Sequence, residues 1–181
     1  MAAQATVHRF VIQLSDVDRQ VYEALDLRVA RHPSESARYF LTRTLAYALS
    51  YEEGIAFSKG GLSQADEPPI AIRDATGVLR AWIDVGVPAA ERLHKASKAA
   101  DRVAVFTAAD LAMLRREAAS KAIHKVEAIE VWCIGAALLD ALETKIDRHT
   151  TLDLLRNDGR LYVTVDGDTI EGDITRASLV E

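Results

Sequence analysis

The chain has a single cysteine, Cys133, so no disulfide can form within it, and a reducing compartment suits it. It also lacks any apolar run near the roughly 20 residues that cross a bilayer. Its first residues, Met1-Ala2-Ala3-Gln4-Ala5-Thr6, have none of the basic start, apolar middle or small-residue cleavage site of a secretory signal. These absences lead us to expect a cytoplasmic protein with no membrane partner. Basic excess is missing too. Against 22 Lys and Arg stand 27 Asp and Glu, a net charge of -5, with a pI of about 5.6. A protein that grips DNA non-specifically usually carries the opposite sign, because it must neutralise phosphates. Any contact with DNA or RNA is therefore expected to be local and weak, which still suits an enzyme that visits its substrate briefly. There is no G-x-G-x-x-G and no G-K-[S/T], so dinucleotide and phosphate-loop chemistry are excluded. The five histidines, His8, His32, His94, His124 and His149, show no zinc-ligand spacing and have no second cysteine to join them.

What is present is an ordinary globular balance. The chain has 181 residues, 49% hydrophobic and 27% charged, enough for one well-buried core and short for two. No internal repeat or low-complexity linker interrupts it, so residues 1–181 read as a single domain.

Hydrophobic periodicity predicts the elements. Residues 7–14 place Phe10, Ile12 and Leu14 on one strand face. After a turn at Ser15-Asp16-Val17-Asp18, residues 21–30 alternate Leu25, Leu27 and Val29 against Asp26 and Arg28, so the two runs read as an antiparallel pair. His32-Pro33-Ser34-Glu35 opens a first helix, with Ser34 as cap and Glu35 in the first turn. Leu41, Leu45, Ala48 and Leu49 line its inner face, and Gly54 ends the segment. A short strand at 55–58 follows. Strands at 70–73 and 79–85 are joined by Asp74-Ala75-Thr76-Gly77, a hairpin turn with its glycine. Next come a helix at about 89–101, a fully buried strand at 102–107, a helix at 109–122, a strand at 127–134 and a helix at 136–146. That alternation implies parallel pairing. Beyond residue 150, short strands at 152–155, 160–165 and 169–175 are joined by tight turns. The expected fold is α/β (α+β): a mixed sheet with flanking helices and extra strands at both ends. The N- and C-terminal strands should adjoin, since each has one apolar face and neither can bury it alone.

The most informative constellation is Asp66-Glu67-Pro68, Trp82-Ile83-Asp84-Val85-Gly86 and Lys95. The spacing of Asp66 and Asp84 suits a hairpin that returns both to one end of a sheet. Carboxylates gathered there, with a lysine on the next helix, are the hard-oxygen groups that hold Mg²⁺ or Mn²⁺. Such a metal activates water and neutralises a phosphodiester under attack. Acidic residues also favour turns, and helix lysines are ordinarily solvated, so the residues alone leave both readings open.

Several separated motifs add to this. Ala30-Arg31-His32-Pro33-Ser34-Glu35, Asp66-Glu67-Pro68, Trp82-Ile83-Asp84-Val85-Gly86-Val87-Pro88, Lys95 and Phe106-Thr107 occur in the order seen in the bacterial YaeQ family, which the chain resembles over essentially its whole length. The resemblance implies a variant of the PD-(D/E)XK nuclease-like fold. In that superfamily a helix supplies an early acid, a hairpin supplies two more carboxylates, and a lysine completes the site. On this chain Glu35 would be the helix acid, Asp66 or Glu67 the first hairpin acid and Asp84 the second. The pattern departs at Gly86, where the usual lysine is missing. Lys95 or Lys98 on the following helix would replace it, as in other branches of the superfamily.

Weaker candidates surround this set. Arg38, Thr42 and Arg43 would present polar groups beside Glu35 for phosphate contact, against the plain alternative of a solvated helix face. Cys133, beside Trp132, reads as packing rather than as a nucleophile. Two functions follow. One is a Mg²⁺- or Mn²⁺-dependent nuclease-like protein with Glu35, Asp84 and Lys95 catalytic and Asp66, Glu67 and Asp84 on the metal. The other is a catalytically quiet member of the same fold that binds a protein or nucleic-acid partner.

Overall fold

A computed structural model of the chain describes residues 4–59 and 66–180. Among these, ten strands form one sheet in the order β2-β1-β8-β9-β10-β7-β6-β5-β4-β3. β1 (Thr6–Asp16) and β2 (Val21–Arg31) pair antiparallel, with Phe10 opposite Leu27 and Ile12 opposite Leu25, so their apolar faces coincide. β8 (His149–Asn157) joins the other side of β1 in parallel and aligns Leu152 with Ile12 and Leu154 with Leu14. The two ends of the chain therefore share a sheet, as their one-sided apolar patterns require. β9 (Arg160–Val165) follows antiparallel to β8. β10 (Asp168–Ala177) then pairs with β9 through its first half and with β7 (Glu130–Ile134) through its second, which joins the terminal strands to the central ones.

The centre is parallel: β7, β6 (Arg102–Thr107) and β5 (Leu79–Val85) run the same way. β4 (Ile70–Arg73) and β3 (Ile55–Phe57) return antiparallel. β6 is buried on both faces. Ala104 and Phe106 join the core shared with Phe10, Leu14, Leu45 and Leu139, while Val103 and Val105 join a second core with Trp82, Leu93 and Leu114. Each fully buried Val, Leu or Phe among them contributes about 1.5–3 kcal/mol. α1 (Ala37–Leu49) and α4 (Ala136–Glu143) cover the first face, and α2 (Ala90–Ala99) and α3 (Leu111–Ala118) cover the second. Most of the 13 residues of α1 are buried, from Phe40 to Leu49. Among the described residues no helix is long and apolar enough to cross a membrane.

Several element limits differ from the periodicity. α1 starts at Ala37, later than Pro33-Ser34 suggests, because residues 32–35 close a turn of their own. Glu35 N donates to the His32 carbonyl, and the Glu35 carboxylate accepts from His32 N. Ser36 is the cap and accepts from Tyr39 N at 3.1 Å. α3 begins at Leu111, capped by Asp110, whose carboxylate accepts from Ala112 N, and ends four residues early. Residues 126–128 form a 3-10 turn, so β7 starts only at Glu130. Gly54, with φ +93°, lies beyond the helix and serves another purpose. A Cβ there would meet the Arg73 carbonyl at 2.0 Å, so only glycine lets this loop approach β4.

Candidate site at the β4–β5 hairpin

The hairpin is fixed from its turn. The Asp74 carboxylate accepts from Thr76 N, Thr76 Oγ1, Val78 N and Arg80 Nε. The Thr76 hydroxyl first, and then the backbone amides and Arg80, hold its pKa far below the usual carboxylate range. The resulting register sets Ile70 opposite Ile83, so Asp66 to Pro69 return beside the C-terminal end of β5. The register thus brings the segment that carries Asp66 back toward the strand end that carries Asp84.

Asp84 shares the α2 side of β5 with Trp82, by the two-residue period of the strand. It is 3% exposed. Its Oδ2 accepts from Trp82 Nε1 at 3.0 Å and from Arg92 Nε at 2.6 Å, and its Oδ1 accepts from Val85 N at 3.0 Å. A buried carboxylate needs such a shell, because ionisation without it costs several kcal/mol. Arg92, in the first turn of α2, supplies the balancing charge. Its guanidinium lies over the Trp82 ring at 5.3 Å and also donates from Nη2 to the Glu67 carbonyl at 2.8 Å.

Lys95 projects from α2 to the same end of the hairpin, but its ion pair is with Asp66 rather than Asp84. Both members are largely exposed. The hydrogen bond and charge of Lys95 lower the Asp66 pKa, and Arg92 adds to this. The Glu67 carboxylate turns toward β3 and accepts from Ser58 Oγ at 2.9 Å. Lys98 sits at the far end of α2, where it lines a cavity of about 490 Å³ with Asp101, His124 and Lys125. The structure thus gathers Asp66, Asp84 and Lys95 at one hairpin end, linked by Arg92, and leaves Lys98 remote.

Glu35 stands one residue before the α1 cap, and its charge and that of Asp84 both act on the Tyr39 phenol. It is 5% exposed and forms two hydrogen bonds with Arg43, at 2.9 and 3.1 Å. Arg43 also donates from Nη2 to the Ala30 backbone carbonyl at 2.6 Å and lies over Phe40 and Phe57. This arrangement ties the end of β2 to α1. Arg38 instead pairs with Asp140 of α4, and Thr42 donates to the Arg38 carbonyl, so neither completes a group around Glu35. Cys133 is half-buried, and burial raises its pKa, as packing implies.

Sequence reasoning missed two residues. Arg92 is not among the candidates that the sequence singles out, yet it is the direct partner of Asp84. Tyr39 is the other. Its ring stands beside Gly86, which has φ +82°, and a Cβ at position 86 would lie 3.4 Å from it. A side chain at the place of the missing lysine would be strained by the positive φ and would rest against an aromatic ring. Burial raises the Tyr39 pKa to about 12, and the Asp84 and Glu35 charges push the same way against Arg43 and Arg92. A visible signal was the four-residue spacing of Tyr39 and Arg43, which puts both on one helical face.

Among the described residues no three His, Cys, Asp or Glu side chains are grouped to hold a metal ion. The donor set at the hairpin does not fit a divalent cation as it stands. The Asp84 oxygens already accept three hydrogen bonds, Asp66 is neutralised by Lys95, and the Glu67 carboxylate faces Ser58.

A mixed α+β scaffold with a buried, arginine-balanced carboxylate at the end of a hairpin is the class that these features define. The chain belongs to the YaeQ family. It matches the family described as YaeQ protein over residues 1–174. It is 30% identical to the YaeQ protein of Escherichia coli (strain K12) over 179 residues, 97% of each chain. The YaeQ crystal structure from Pseudomonas syringae aligns with TM-score 0.84 at 29% identity, covering 96% of both chains. That from Xanthomonas axonopodis pv. citri gives 0.86 at 30%, covering 96% of this chain and 98% of the other. None of these names states an activity, so they carry the family and the fold but not the chemistry.

Proposed function

We propose that this chain is a variant of the PD-(D/E)XK nuclease-like fold that works as a cytoplasmic binding module, with a hairpin site that is metal-independent and does not hydrolyse phosphodiesters. One observation carries this reading: Asp84 is buried and already neutralised by Arg92, with Trp82 and Val85 completing its hydrogen bonds. The other acids of the implied nuclease set are satisfied as well, Glu35 by Arg43 and Asp66 by Lys95. Arg92 and Lys95 at the hairpin, and Arg38 and Arg43 on α1, are all in ion pairs, so little positive charge is left for a polyanion. A protein surface suits this balance better than DNA or RNA.

The nuclease reading has one observation in its favour. Asp66, Asp84 and Lys95 share one end of a hairpin, an arrangement that functional sites favour more than stability does. Cleavage of single- and double-stranded DNA and RNA in Mg²⁺ or Mn²⁺, beside an Asp84→Ala control, separates the two. The binding-module reading expects equal, background cleavage by both proteins. Metal-dependent cleavage that disappears in Asp84→Ala overturns it.

A further inference from the structure

Arg92 spans two oxygens from the two segments of the hairpin that would supply cation ligands. Its Nε reaches Asp84 Oδ2 at 2.6 Å, and its Nη2 reaches the Glu67 carbonyl at 2.8 Å. On the rim stands Asp66, whose charge interacts with Arg92 as well as with Lys95. A buried carboxylate, a backbone carbonyl and a second carboxylate are hard-oxygen donors of the kind that Mg²⁺ and Mn²⁺ take. We propose that the Arg92 guanidinium is a built-in cation filling a latent divalent-cation site between Asp84 and the Glu67 carbonyl, and that it keeps metal out. This inference rests on the metal-independent reading above and deepens it.

Three physical features make Arg92 suited to the part. A guanidinium stays protonated at any physiological pH, so Asp84 is never left without its counter-charge. Its planar fork donates in two directions at once, which a lysine ammonium on the same stem does less well. It rests on the Trp82 ring, the same indole that donates to Asp84, so ring, carboxylate and guanidinium hold one another in place. A dissolved ion must displace a cation that the helix keeps at high effective concentration. Lys95, one turn further along, reaches only the exposed Asp66 and leaves the buried position to Arg92.

The pair is reciprocal. Removal of the guanidinium leaves a buried anion beside a free carbonyl, which is a cation site. Removal of the carboxylate takes the buried counter-charge away from the guanidinium, which favours an anion beside it. A purely structural ion pair would weaken the fold in both cases but would not switch the sign of the ligand.

The test uses the full chain as wild type, Arg92→Gln, Asp84→Asn and the double variant. Each is followed by thermal shift in Mn²⁺ and in inorganic phosphate, with calorimetry for Mn²⁺ binding. Wild type should respond to neither ion. Arg92→Gln should gain Mn²⁺ stabilisation, with a Kd at least about tenfold tighter than wild type, and the double variant should lose it. Asp84→Asn should be stabilised by phosphate and not by Mn²⁺. Wild type that binds Mn²⁺ as tightly as Arg92→Gln overturns both this inference and the metal-independent reading. Indifference of both wild type and Arg92→Gln to Mn²⁺ overturns the latent site alone. Should Arg92→Gln fail to fold, Asp84→Asn decides: a phosphate response no larger than that of wild type refutes the proposal.

Discussion

Replacing Glu35 by glutamine removes a charge without removing volume, so it isolates the role of the Glu35–Arg43 pair. Arg43 is 8% exposed and would be left as a buried cation without its carboxylate. Breaking a buried pair on one side costs about 3–5 kcal/mol. The low end applies here, because Arg43 keeps the Ala30 carbonyl at 2.6 Å and the faces of Phe40 and Phe57. We expect a loss of about 3 kcal/mol in urea unfolding at pH 7, or about 6–12 °C in Tm for a chain of this size. Glu35→Gln/Arg43→Met should recover roughly half of that loss, leaving a deficit of about 1–2 kcal/mol for the uncapped Ala30 carbonyl. A loss below about 1 kcal/mol in the single variant, with no recovery in the double, would refute a structural role for Glu35.

Asp84→Asn removes the largest charge effect that raises the Tyr39 pKa and frees Arg92 to lower it, so the phenol should titrate clearly below 12; ultraviolet titration at high pH, with Tyr39→Phe to assign the transition, checks this. In wild type the raised Tyr39 pKa favours the neutral phenol, so its stabilisation is present below about pH 10 and lost as pH rises through about 12. Asp74 has the opposite sign. Its folded pKa is depressed, so its contribution is present above about pH 4 and lost as pH falls further, and Asp74→Asn should flatten the acid limb of the stability–pH curve. Gly54→Ala should destabilise by more than about 1–3 kcal/mol, since strained backbone at φ +93° adds to contact with the Arg73 carbonyl; an unchanged urea midpoint would contradict that contact.

Strand faces were legible wherever one side of a strand meets water. Phe10-Ile12-Leu14 and Leu25-Leu27-Val29 show period two because the outer face of β1 and β2 is solvated. The Asp74 hairpin was legible for a local reason, as one carboxylate and one glycine build the turn. Long-range choices were not. Pro33-Ser34 has the chemistry of a helix start, but Glu35 closes a turn with His32 and pairs with Arg43, and the cap falls at Ser36. Arg92 and Lys95 lie three residues apart on one helix, and the sequence cannot say which of them faces Asp84. The packing of Leu93 and Ala96 in one core with Trp82 fixes the face that α2 turns to β5, and on it Arg92 meets Asp84. The placement of Tyr39 against Gly86 depends on two segments that only the tertiary fold brings together.

The central claim is that a guanidinium, not a metal ion, balances Asp84. It is tested most directly by crystals of the wild-type chain grown in Mn²⁺, with anomalous difference maps at the β4–β5 hairpin. We expect no peak between Asp84 and the Glu67 carbonyl, with Arg92 in contact with both oxygens. A Mn²⁺ peak at that point, with Arg92 swung away from Asp84, would contradict the account.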